Sequence, residues 1–520
     1  MRKLPLDTSV FSRLINLNYV YVDKTEYIYR MITGGHRFFL SRPRRFGKSL
    51  LVSTMKEILT NNRELFDGLW IAQSDYQWVE YGVIKLDFST LTADNIETFD
   101  DGLKRELIGI AASYNIIIDT FISDASGLLK NIVQELFARF RRVAILVDEY
   151  DSPILKTLHN EELAKTIRNK IQQFFTTIKG LDEQVPFAFF TGVSSFAKAG
   201  LFSGINNLQI LSLDKRFAGI CGYTDEEIDH YFKDQITDWA TNNNEPFNTL
   251  RQRIKMWYNG YHFGHDTVAV YNPFSVMHAL NILEFNNFWF QSGTPTFLVD
   301  ILKKNYTQFD LDSFQASKDF LGIFDVGNIP TISLMFQAGY LTIVDYDPES
   351  ELYTLDYPNL EVKKAFQKYL LEVFAHIEPM HAARLSSELY RAFNQQNIEE
   401  IITLLKQLFA HVPYQLHMKA EKYYHSLFMM ICIGAGIKAQ SEYSTSHGQI
   451  DLILEFAKII YVIEVKFNKT AEEALAQIEE RRYYERFMSQ DKEIILLGLA
   501  FKREPHNFDI SHTIKKLNSK

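Results

Sequence analysis

Apolar runs of five to seven residues alternate with longer amphipathic segments over the first 213 residues of the chain. The segments between the runs have helical spacing, for example at Ser49–Leu59 and Asn160–Lys179. Because the hydrophobicity of the runs is continuous rather than alternating, we expect strands that are buried on both faces. The pattern therefore predicts an α/β fold, a parallel sheet with helices on both faces. Its strands are predicted at His36–Ser41, Val83–Ser89, Val143–Asp148, Phe187–Thr191 and Leu208–Leu213.

The pattern changes after Asp214, where shorter segments of helical spacing follow one another. Thr224 and Glu227 have the spacing of a capping box, which predicts that a helix begins at this point. Less regular, strand-like runs continue to about Pro358. We therefore expect a mostly helical middle region. Further helices in it are predicted at Thr249–Trp257, Pro273–Phe285 and Pro295–Lys304.

From Ile398 the order of elements differs again: helices, three strands, a helix and a last strand. This set is large enough to form an α/β domain of its own. We therefore divide the chain into a first domain at 1–213, a middle region at 214–397 and a third domain at 398–520. The elements of the third domain are predicted at Ile398–Ala410, Ala420–Cys432, Lys438–Tyr443, Gln449–Phe456, Ile459–Phe467, Ala471–Phe487 and Glu493–Leu499.

The 520 residues include 55 Lys and Arg and 64 Asp and Glu, so the formal net charge is −9. That balance argues against a protein whose whole surface is basic and binds nucleic acid non-specifically, but it allows a local basic groove. The two cysteines, Cys221 and Cys432, cannot form a disulfide framework or a cysteine-rich zinc site, and they favour a reducing compartment. The longest apolar run, Leu427–Ile437, is too short to span a bilayer. We therefore expect a cytoplasmic protein without a membrane partner.

Residues 42–49 read RPRRFGKS and match the phosphate-loop pattern GxxxxGK[ST] except at the first glycine. A predicted strand precedes the segment and a predicted helix follows it, as the loop requires. Lys48 would neutralise the β- and γ-phosphate oxygens, and the hydroxyl group of Ser49 would bind Mg²⁺. A chance helix start after a basic turn is the alternative. The nucleotide-binding candidates in the loop are Arg42, Pro43, Arg44, Arg45, Phe46, Gly47, Lys48 and Ser49.

A second motif favours the phosphate loop over chance. The apolar strand VAILVD ends in Asp148 and is followed directly by Glu149. In an ATPase with a phosphate loop, Asp148 would hold Mg²⁺ and Glu149 would polarise the attacking water. The two motifs occur in the expected order, so ATP and Mg²⁺ are the expected ligands. Weaker candidates for contact with the γ-phosphate, with turn chemistry or a surface salt bridge as alternatives, are Thr191, Ser194 and Arg216.

A second group of charged residues lies in the third domain. Glu464 and Lys466 alternate with apolar residues in IIYVIEVKF, so both side chains lie on one face of a strand. Asp451 is on the preceding strand, and carboxylates from adjacent strands can share Mg²⁺. Lys466 would orient a metal-bound water, Glu421 would add an acidic ligand, and Gln477 would contact the scissile strand. The pattern indicates metal-assisted phosphodiester hydrolysis, with a solvated sheet face as the alternative. Residues that would contact a nucleic-acid backbone are Arg481, Arg482, Tyr483, Tyr484 and Arg486.

Motifs along nearly the whole chain resemble those of the AAA-ATPase-like family of bacterial proteins, whose members typically carry a C-terminal nuclease domain of the PD-(D/E)XK class. They include YVDKTEYIYR, FFLSRPRRFGKSLL, ILVDEYDSPIL, WYNGYHF, VYNPFSV, GQIDLILE and YVIEVKF. The resemblance implies a P-loop NTPase sheet and a PD-(D/E)XK nuclease-like domain. The ATPase roles that it implies fall on Lys48, Ser49, Asp148 and Glu149. The nuclease roles fall on Asp451, Glu464 and Lys466, with Glu421 and Gln477 as accessory positions.

These observations lead us to expect an ATPase coupled to a Mg²⁺-dependent nuclease that acts on DNA. A homo-oligomer is compatible with this expectation, because a neighbouring subunit could supply an arginine to the ATP site. One alternative is a non-catalytic protein in which nucleotide binding switches a partner-binding surface and the C-terminal carboxylates are vestigial. Another is a protein that binds ATP without hydrolysing it. The presence of Glu149 and Lys466 argues against loss of catalysis.

Overall fold

The computed structural model describes two compact units, one formed by the described residues up to Glu361 and the other by those from Val362 onward. The predicted domain limits at residues 213 and 397 stay predictions. The residues described are 2–119, 121–195, 201–202, 205, 207–293, 315–322, 330–374, 379–410, 428–429, 431–432, 435–445, 448–482, 484–488, 492–504 and 507–517.

A five-stranded parallel sheet is the centre of the first unit, as the sequence predicts. Its strands are β1 (Arg37–Ser41), β2 (Gly82–Asp87), β3 (Val143–Asp148), β4 (Phe187–Gly192) and β5 (Leu208–Ile210). Their order across the sheet is β2-β3-β4-β1-β5. Every residue of β1, β3 and β4 is buried, which agrees with their continuous hydrophobicity. Strand β4 therefore separates the strand before the phosphate loop from the strand that ends in Asp148.

Helices cover this sheet. They are α1 (Phe11–Asn16), α2 (Thr25–Gly34), α3 (Lys48–Leu59), α4 (Trp70–Gln73), α5 (Ile96–Ser113), α6 (Ala125–Phe140), α7 (Ser152–Lys156) and α8 (Glu161–Lys179). Polar caps define their starts: Asn95, Asp124 and Asn160 each accept a backbone N–H bond from the first turn of α5, α6 and α8. The predictions for α3 and α8 are confirmed to within one residue.

The rest of the first unit is mostly helical, as predicted. It contains α9 (Asp225–Tyr231), α10 (Lys233–Asn242), α11 (Phe247–Tyr258), α12 (Pro273–Ile282), α13 (Phe288–Gly293), α14 (Lys318–Gly322) and α15 (Thr331–Ala338). A small sheet adds β6 (Gln315–Ser317), β7 (Thr342–Asp347) and β8 (Leu352–Asp356), in the order β6-β8-β7. The capping box of Thr224 and Glu227 is confirmed at the start of α9. The helix predicted at Pro295–Lys304 lies outside the described residues.

The N-terminal segment contributes to the core of these helices. Val20 and Val22 are buried with Trp239, Tyr258 and Val276, so the chain before α2 packs against helices more than 200 residues away. Such burial removes apolar surface from water and contributes roughly 25 cal/mol for each Å². The region predicted as a separate middle part is therefore packed onto the first residues of the chain.

The second unit contains α16 (Leu360–Phe374), which starts at the end of the first unit, α17 (Pro379–Asn394), α18 (Ile398–Ala410) and α19 (Ala471–Arg481). Its mixed sheet is formed by β9 (Lys438–Thr445), β10 (Gly448–Glu455), β11 (Ile459–Phe467), β12 (Glu493–Glu504) and β13 (Asn507–Leu517). The order is β13-β12-β11-β10-β9, with β11 and β12 parallel and the other pairs antiparallel. Helix α19 is the crossover that joins the parallel pair.

Two predictions for this unit need correction. The helix predicted to continue to Phe487 ends at Arg481, because Arg482 adopts a left-handed conformation with φ of 51°. Strand β13 is an element that the sequence analysis missed, although Phe508, Ile510 and Ile514 alternate with polar residues in its sequence NFDISHTIKKL. Over the ranges described, the structure contains no helix with the length and apolar character needed to cross a membrane.

Candidate phosphate-loop and nuclease-like sites

The phosphate loop connects the end of β1 to the start of α3. Gly47 precedes the helix with φ of +91°, a left-handed conformation that costs a glycine little. Arg45 also lies in the left-handed region, with φ of +66°. Lys48 is buried, and its Nζ donates to the carbonyl oxygens of Arg42 and Pro43 at 2.9 and 3.0 Å. Its ammonium group is therefore held inside the loop, at the end of α3 that favours anions.

A cavity of about 560 Å³ opens at this loop, on the side of the sheet where the parallel strands end. Its polar lining is formed by the loop from Arg44 to Ser49 together with Glu149. Its apolar walls come from the N-terminal segment and from the helical part of the first unit. These walls include Val20, Val22, Ile220, Tyr223, Pro273 and Met277.

The two acidic residues after β3 have different environments. Asp148 is buried, and its Oδ1 accepts a hydrogen bond from Thr191 Oγ1 at 2.9 Å. Glu149 lines the cavity with φ of +48°, a backbone conformation that is uncommon for a residue with a side chain. Burial raises the pKa of Glu149, against the opposing charges of Lys48 and Arg44. A carboxylate with a raised pKa beside a phosphate loop is suited to accept a proton.

Asp151 is a buried carboxylate that the sequence analysis did not select. It accepts the backbone N–H of Val193 at 3.1 Å and that of Ser194 at 2.6 Å, and the Ser194 hydroxyl also donates to it. Tyr150 donates its hydroxyl to the carbonyl oxygen of Ser194 at 3.0 Å. The turn after β4 is therefore fixed to the turn after β3. The hydroxyl of Ser194 is directed to Asp151 and that of Thr191 to Asp148.

The structure gives two arginines other roles than phosphate binding. The buried Arg42 guanidinium donates to carbonyl oxygens of Ser41 and Ser212 at 2.9 Å and lies 3.8 Å from the ring of Phe263. Arg42 and Pro43 are not among the residues that line the cavity. Arg216 does not line it either, because its exposed side chain pairs with Asp214 at 2.7 Å. Arg42 thus supports the loop from beneath, and Arg216 is a surface residue.

The carboxylate of Glu464 is the centre of the second site. Glu464 is 1% exposed, and its Oε1 accepts a hydrogen bond from Lys466 Nζ at 2.9 Å. Gln477 on α19 donates to the same oxygen atom. The two residues on β11 share one face of the strand, as their spacing predicts. The charge of Lys466 offsets the cost of burying the Glu464 carboxylate.

Asp451 joins this cluster from the neighbouring strand. Its Oδ2 accepts the backbone N–H of Val465 at 2.8 Å, and Val465 is the residue between Glu464 and Lys466. The structure therefore brings together four of the residues that the sequence selects for phosphodiester hydrolysis. Among the described residues, no set of three His, Cys, Asp or Glu side chains gathers at one point. Glu421 lies outside the described residues.

Comparisons with known proteins bear on both sites. A family profile described as Predicted AAA-ATPase matches residues 5–202, and one described as PD-(D/E)XK nuclease superfamily matches residues 419–509. A relative from Azotobacter chroococcum mcd 1, named "Uncharacterized protein in vnfD 5'region", is 35% identical over 516 residues, 97% of each chain. The chain belongs to the AAA-ATPase-like family. Its C-terminal part is a PD-(D/E)XK nuclease superfamily domain.

Two solved structures are distantly similar to this chain. The Walker-type ATPase PABY2304 of Pyrococcus abyssi has a TM-score of 0.33 at 10% identity and covers 70% of this chain and 98% of its own. The Aeropyrum pernix ORC1 protein in complex with DNA has a TM-score of 0.26, at the same identity and coverage. Both likenesses are too distant to bear on the fold or the function of this chain.

Two positions in this member of the AAA-ATPase-like family could not be selected from local sequence. Trp289 donates its indole N–H to the carbonyl oxygen of Arg44 at 3.0 Å, across 245 residues of sequence. Gly498 in the nuclease domain lies beside Glu464 in the ladder of β11 and β12. Neither contact has a spacing signal. Asp151 could have been selected from the sequence, because it lies two residues after Glu149 in the segment that follows β3.

Proposed function

We propose that this protein hydrolyses ATP and that its C-terminal domain is a Mg²⁺-dependent nuclease that acts on DNA. The observation that carries the proposal is the cluster at Glu464, where a buried carboxylate contacts both Lys466 and Gln477 and lies beside Asp451. Burying a carboxylate costs free energy, even when a lysine and an amide both donate to one of its oxygen atoms, and an ordinary sheet surface does not need such a group. Metal-assisted phosphodiester hydrolysis requires a carboxylate with these neighbours.

The size and lining of the cavity support binding of ATP. A cavity of about 560 Å³ lies in the range for small-molecule ligands. Lys48 and the N-terminus of α3 favour a triphosphate at the phosphate loop. Tyr223 and Met277 in the cavity wall offer apolar surface to a flat base. The nucleotide would therefore span the phosphate loop and the helical part of the first unit.

The donor set of the ATP site fits Mg²⁺, since Ser49 offers a hydroxyl oxygen and Asp148 a carboxylate oxygen. The ion, when bound, would neutralise charge on the β- and γ-phosphate oxygens. Lys48 would exchange its bonds to the carbonyls of Arg42 and Pro43 for bonds to phosphate oxygens. Glu149 would accept a proton from the attacking water. Thr191 would hold the Asp148 carboxylate in place.

In the nuclease domain, Asp451 and Glu464 offer the carboxylate oxygens that Mg²⁺ prefers, so the residues present fit this ion. The ion, when bound, would supply a Lewis acid and a nucleophilic water. Lys466 would orient that water and offset negative charge at the scissile phosphate. Gln477 would hold Glu464 in place through its amide group. Arg481 and Arg482, at the end of α19, would contact the backbone of the polynucleotide.

The decisive experiment incubates the purified full-length chain with single- and double-stranded DNA and Mg²⁺, with and without ATP. We expect cleavage by wild type and by Lys469→Met, an exposed lysine three residues beyond Lys466. We expect at least about 100-fold slower cleavage by Asp451→Ala and Lys466→Met, since each removes a group that acts in the transition state. Lys48→Ala should remove any effect of ATP.

The outcomes separate the parts of the proposal. Equal absence of cleavage by wild type and Asp451→Ala on all DNA substrates would show that the nuclease proposal is wrong. Cleavage of RNA alone in a parallel reaction would keep the nuclease and change its substrate. Phosphate release at the background rate, with ATP affinity that depends on Lys48, would leave a nucleotide-binding protein without ATPase activity.

A further inference from the structure

Arginines occupy three of the eight positions of the phosphate loop, and the structure places them differently. Arg42 is buried beneath the loop, where carbonyl oxygens take its guanidinium hydrogen bonds. Arg45 is exposed, and its guanidinium lies 5.0 Å from the ring centroid of Phe274. Arg44 lies between them in sequence and is half-buried, and both Arg44 and Arg45 line the cavity.

The backbone of Arg44 is fixed in place by a buried tryptophan. Trp289 is 1% exposed and donates its indole N–H to the carbonyl oxygen of Arg44 at 3.0 Å. The backbone N–H of Trp289 donates in turn to the carboxylate of Glu361 at 2.7 Å. This hydrogen bond to a rigid, buried ring fixes the backbone from which the Arg44 side chain starts, and Arg44 lines the cavity.

Arg44 shares the cavity with the residue that would receive the proton, since Arg44 and Glu149 both line it. Other cations on the cavity wall have different surroundings. Lys24 pairs with Glu227 at 2.6 Å, Lys48 bonds within the loop, and the guanidinium of the exposed Arg45 lies against the ring of Phe274. Arg44 is therefore positioned where phosphate, attacking water and Glu149 would meet.

Hydrolysis of ATP needs a cation at this place. The attacking water forms a bond to the γ-phosphorus and gives one proton to Glu149, while the bond from the γ-phosphorus to the bridging oxygen breaks and its electron pair leaves with ADP. Negative charge on the γ-oxygens is stabilised by an arginine from the same chain or from another chain. The sequence candidate for this role, Arg216, is exposed and paired with Asp214.

We propose that Arg44 is the charge-stabilising arginine of ATP hydrolysis and that the phosphate loop of the same chain supplies it. This inference rests on the ATPase activity proposed above. The guanidinium contacts the γ-oxygens as charge develops on them, so it acts on the transition state more than on bound ATP. Hydrolysis then needs no arginine from a second copy of the chain, and the activity per molecule is independent of protein concentration.

The test compares wild type with Arg44→Ala, Arg216→Ala, Trp289→Phe and the control Arg105→Ala, an exposed arginine on α5. For Arg44→Ala we expect kcat to fall by about 100-fold or more, with KM changed only a few-fold. Wild type should bind ADP with aluminium fluoride, a mimic of the transferred phosphoryl group, more tightly than ADP alone. Arg44→Ala should lose that difference and still bind ADP.

Trp289→Phe tests the positioning of Arg44, because it keeps a ring and removes the indole N–H. We expect about tenfold lower kcat with little change in KM, and Arg216→Ala and Arg105→Ala should match wild type. Activity that rises with protein concentration, or a loss of kcat in Arg216→Ala instead of Arg44→Ala, overturns the inference. If wild type has no turnover, the ATPase proposal fails, while binding of ADP with aluminium fluoride still decides the role of Arg44.

Discussion

Glu464 and Gly498 are direct partners in the parallel ladder of β11 and β12, and helix α19 packs over them. A Cβ atom at Gly498 would lie 2.3 Å from the carbonyl oxygen of Ala471 and 2.7 Å from the backbone nitrogen of Leu475. Gln477 follows two residues later on α19 and donates to Glu464. The absence of a side chain at Gly498 therefore sets how closely α19 approaches the Glu464 carboxylate.

Replacement of Gly498 by alanine should push α19 away from the sheet, because backbone atoms cannot yield as a flexible side chain can. We expect a loss of about 1–3 kcal/mol in the free energy of unfolding and at least about tenfold slower DNA cleavage. Urea denaturation and the cleavage assay measure the two effects. As a control, Gly109→Ala in α5, where an added Cβ meets nothing within 4 Å, should raise stability by up to about 1 kcal/mol. Unchanged stability and cleavage in Gly498→Ala would contradict this account.

The buried carboxyl group of Glu361 should make the free energy of unfolding depend on pH. It is fully buried near the start of α16, and burial raises its pKa from 4.5 to about 7. The folded protein therefore binds this proton more tightly than the unfolded chain. The contribution of this bound proton to the free energy of unfolding is fully present below about pH 4.5 and is lost as the pH rises through about 7. At about 1.4 kcal/mol for each pKa unit, the loss amounts to about 3 kcal/mol.

Glu361→Gln keeps an acceptor for the Trp289 N–H but cannot ionise. We expect it to be more stable than wild type by up to about 3 kcal/mol at pH 8, with little difference at pH 5. Urea unfolding followed by tryptophan fluorescence at both values measures this. The exposed Glu284→Gln should change the free energy of unfolding by less than about 0.5 kcal/mol. A parallel pH dependence of Glu361→Gln and wild type would refute the prediction.

Glu149 predicts the pH dependence of ATP hydrolysis. As the proposed base it would act only when ionised, and burial raises its pKa. The rate should therefore fall on the acid side at a pH above the ordinary glutamate value of 4.5. Glu149→Gln should bind ATP with nearly the affinity of wild type but hydrolyse it at least about 100-fold more slowly. Phosphate release measured from about pH 4 to about pH 9 gives the profile, and a rate that stays constant down to pH 4.5 would exclude Glu149 as the base.

The buried carboxylate of Asp151 should contribute to the free energy of unfolding rather than to catalysis. Its Oδ2 accepts the backbone N–H groups of Val193 and Ser194, so alanine at this position would leave both donors buried without that acceptor. We expect Asp151→Ala to lower the free energy of unfolding by about 2–3 kcal/mol. Ser194→Ala, which removes one hydroxyl donor and keeps both backbone bonds, should cost about 1 kcal/mol. Thermal unfolding of both variants gives the comparison, and equal costs would show that the backbone bonds contribute nothing.

Local sequence was enough for those parts of the fold that depend on neighbours along the chain. Strands β1 and β3, helix α3 and the capping box at Thr224 each follow from apolar runs or from turn and cap residues a few positions apart. The order of Lys48, Asp148 and Glu149 likewise indicated an ATP site, and the alternation of Glu464 and Lys466 placed both on one face.

Tertiary structure decided what distant residues do to each other. The burial of Arg42, the indole bond from Trp289 to Arg44 and the approach of α19 over Gly498 join segments with no common periodicity. Strand β13 has alternating apolar residues, but its place at the edge of the sheet follows only from its pairing with β12. Hydrophobic pattern encodes which face of an element is buried, but it carries no information about which remote side chain meets that face. For this chain the sequence determined most elements and the chemical groups. Packing determined that Arg42 lies beneath the phosphate loop while Arg44 and Arg45 line the cavity.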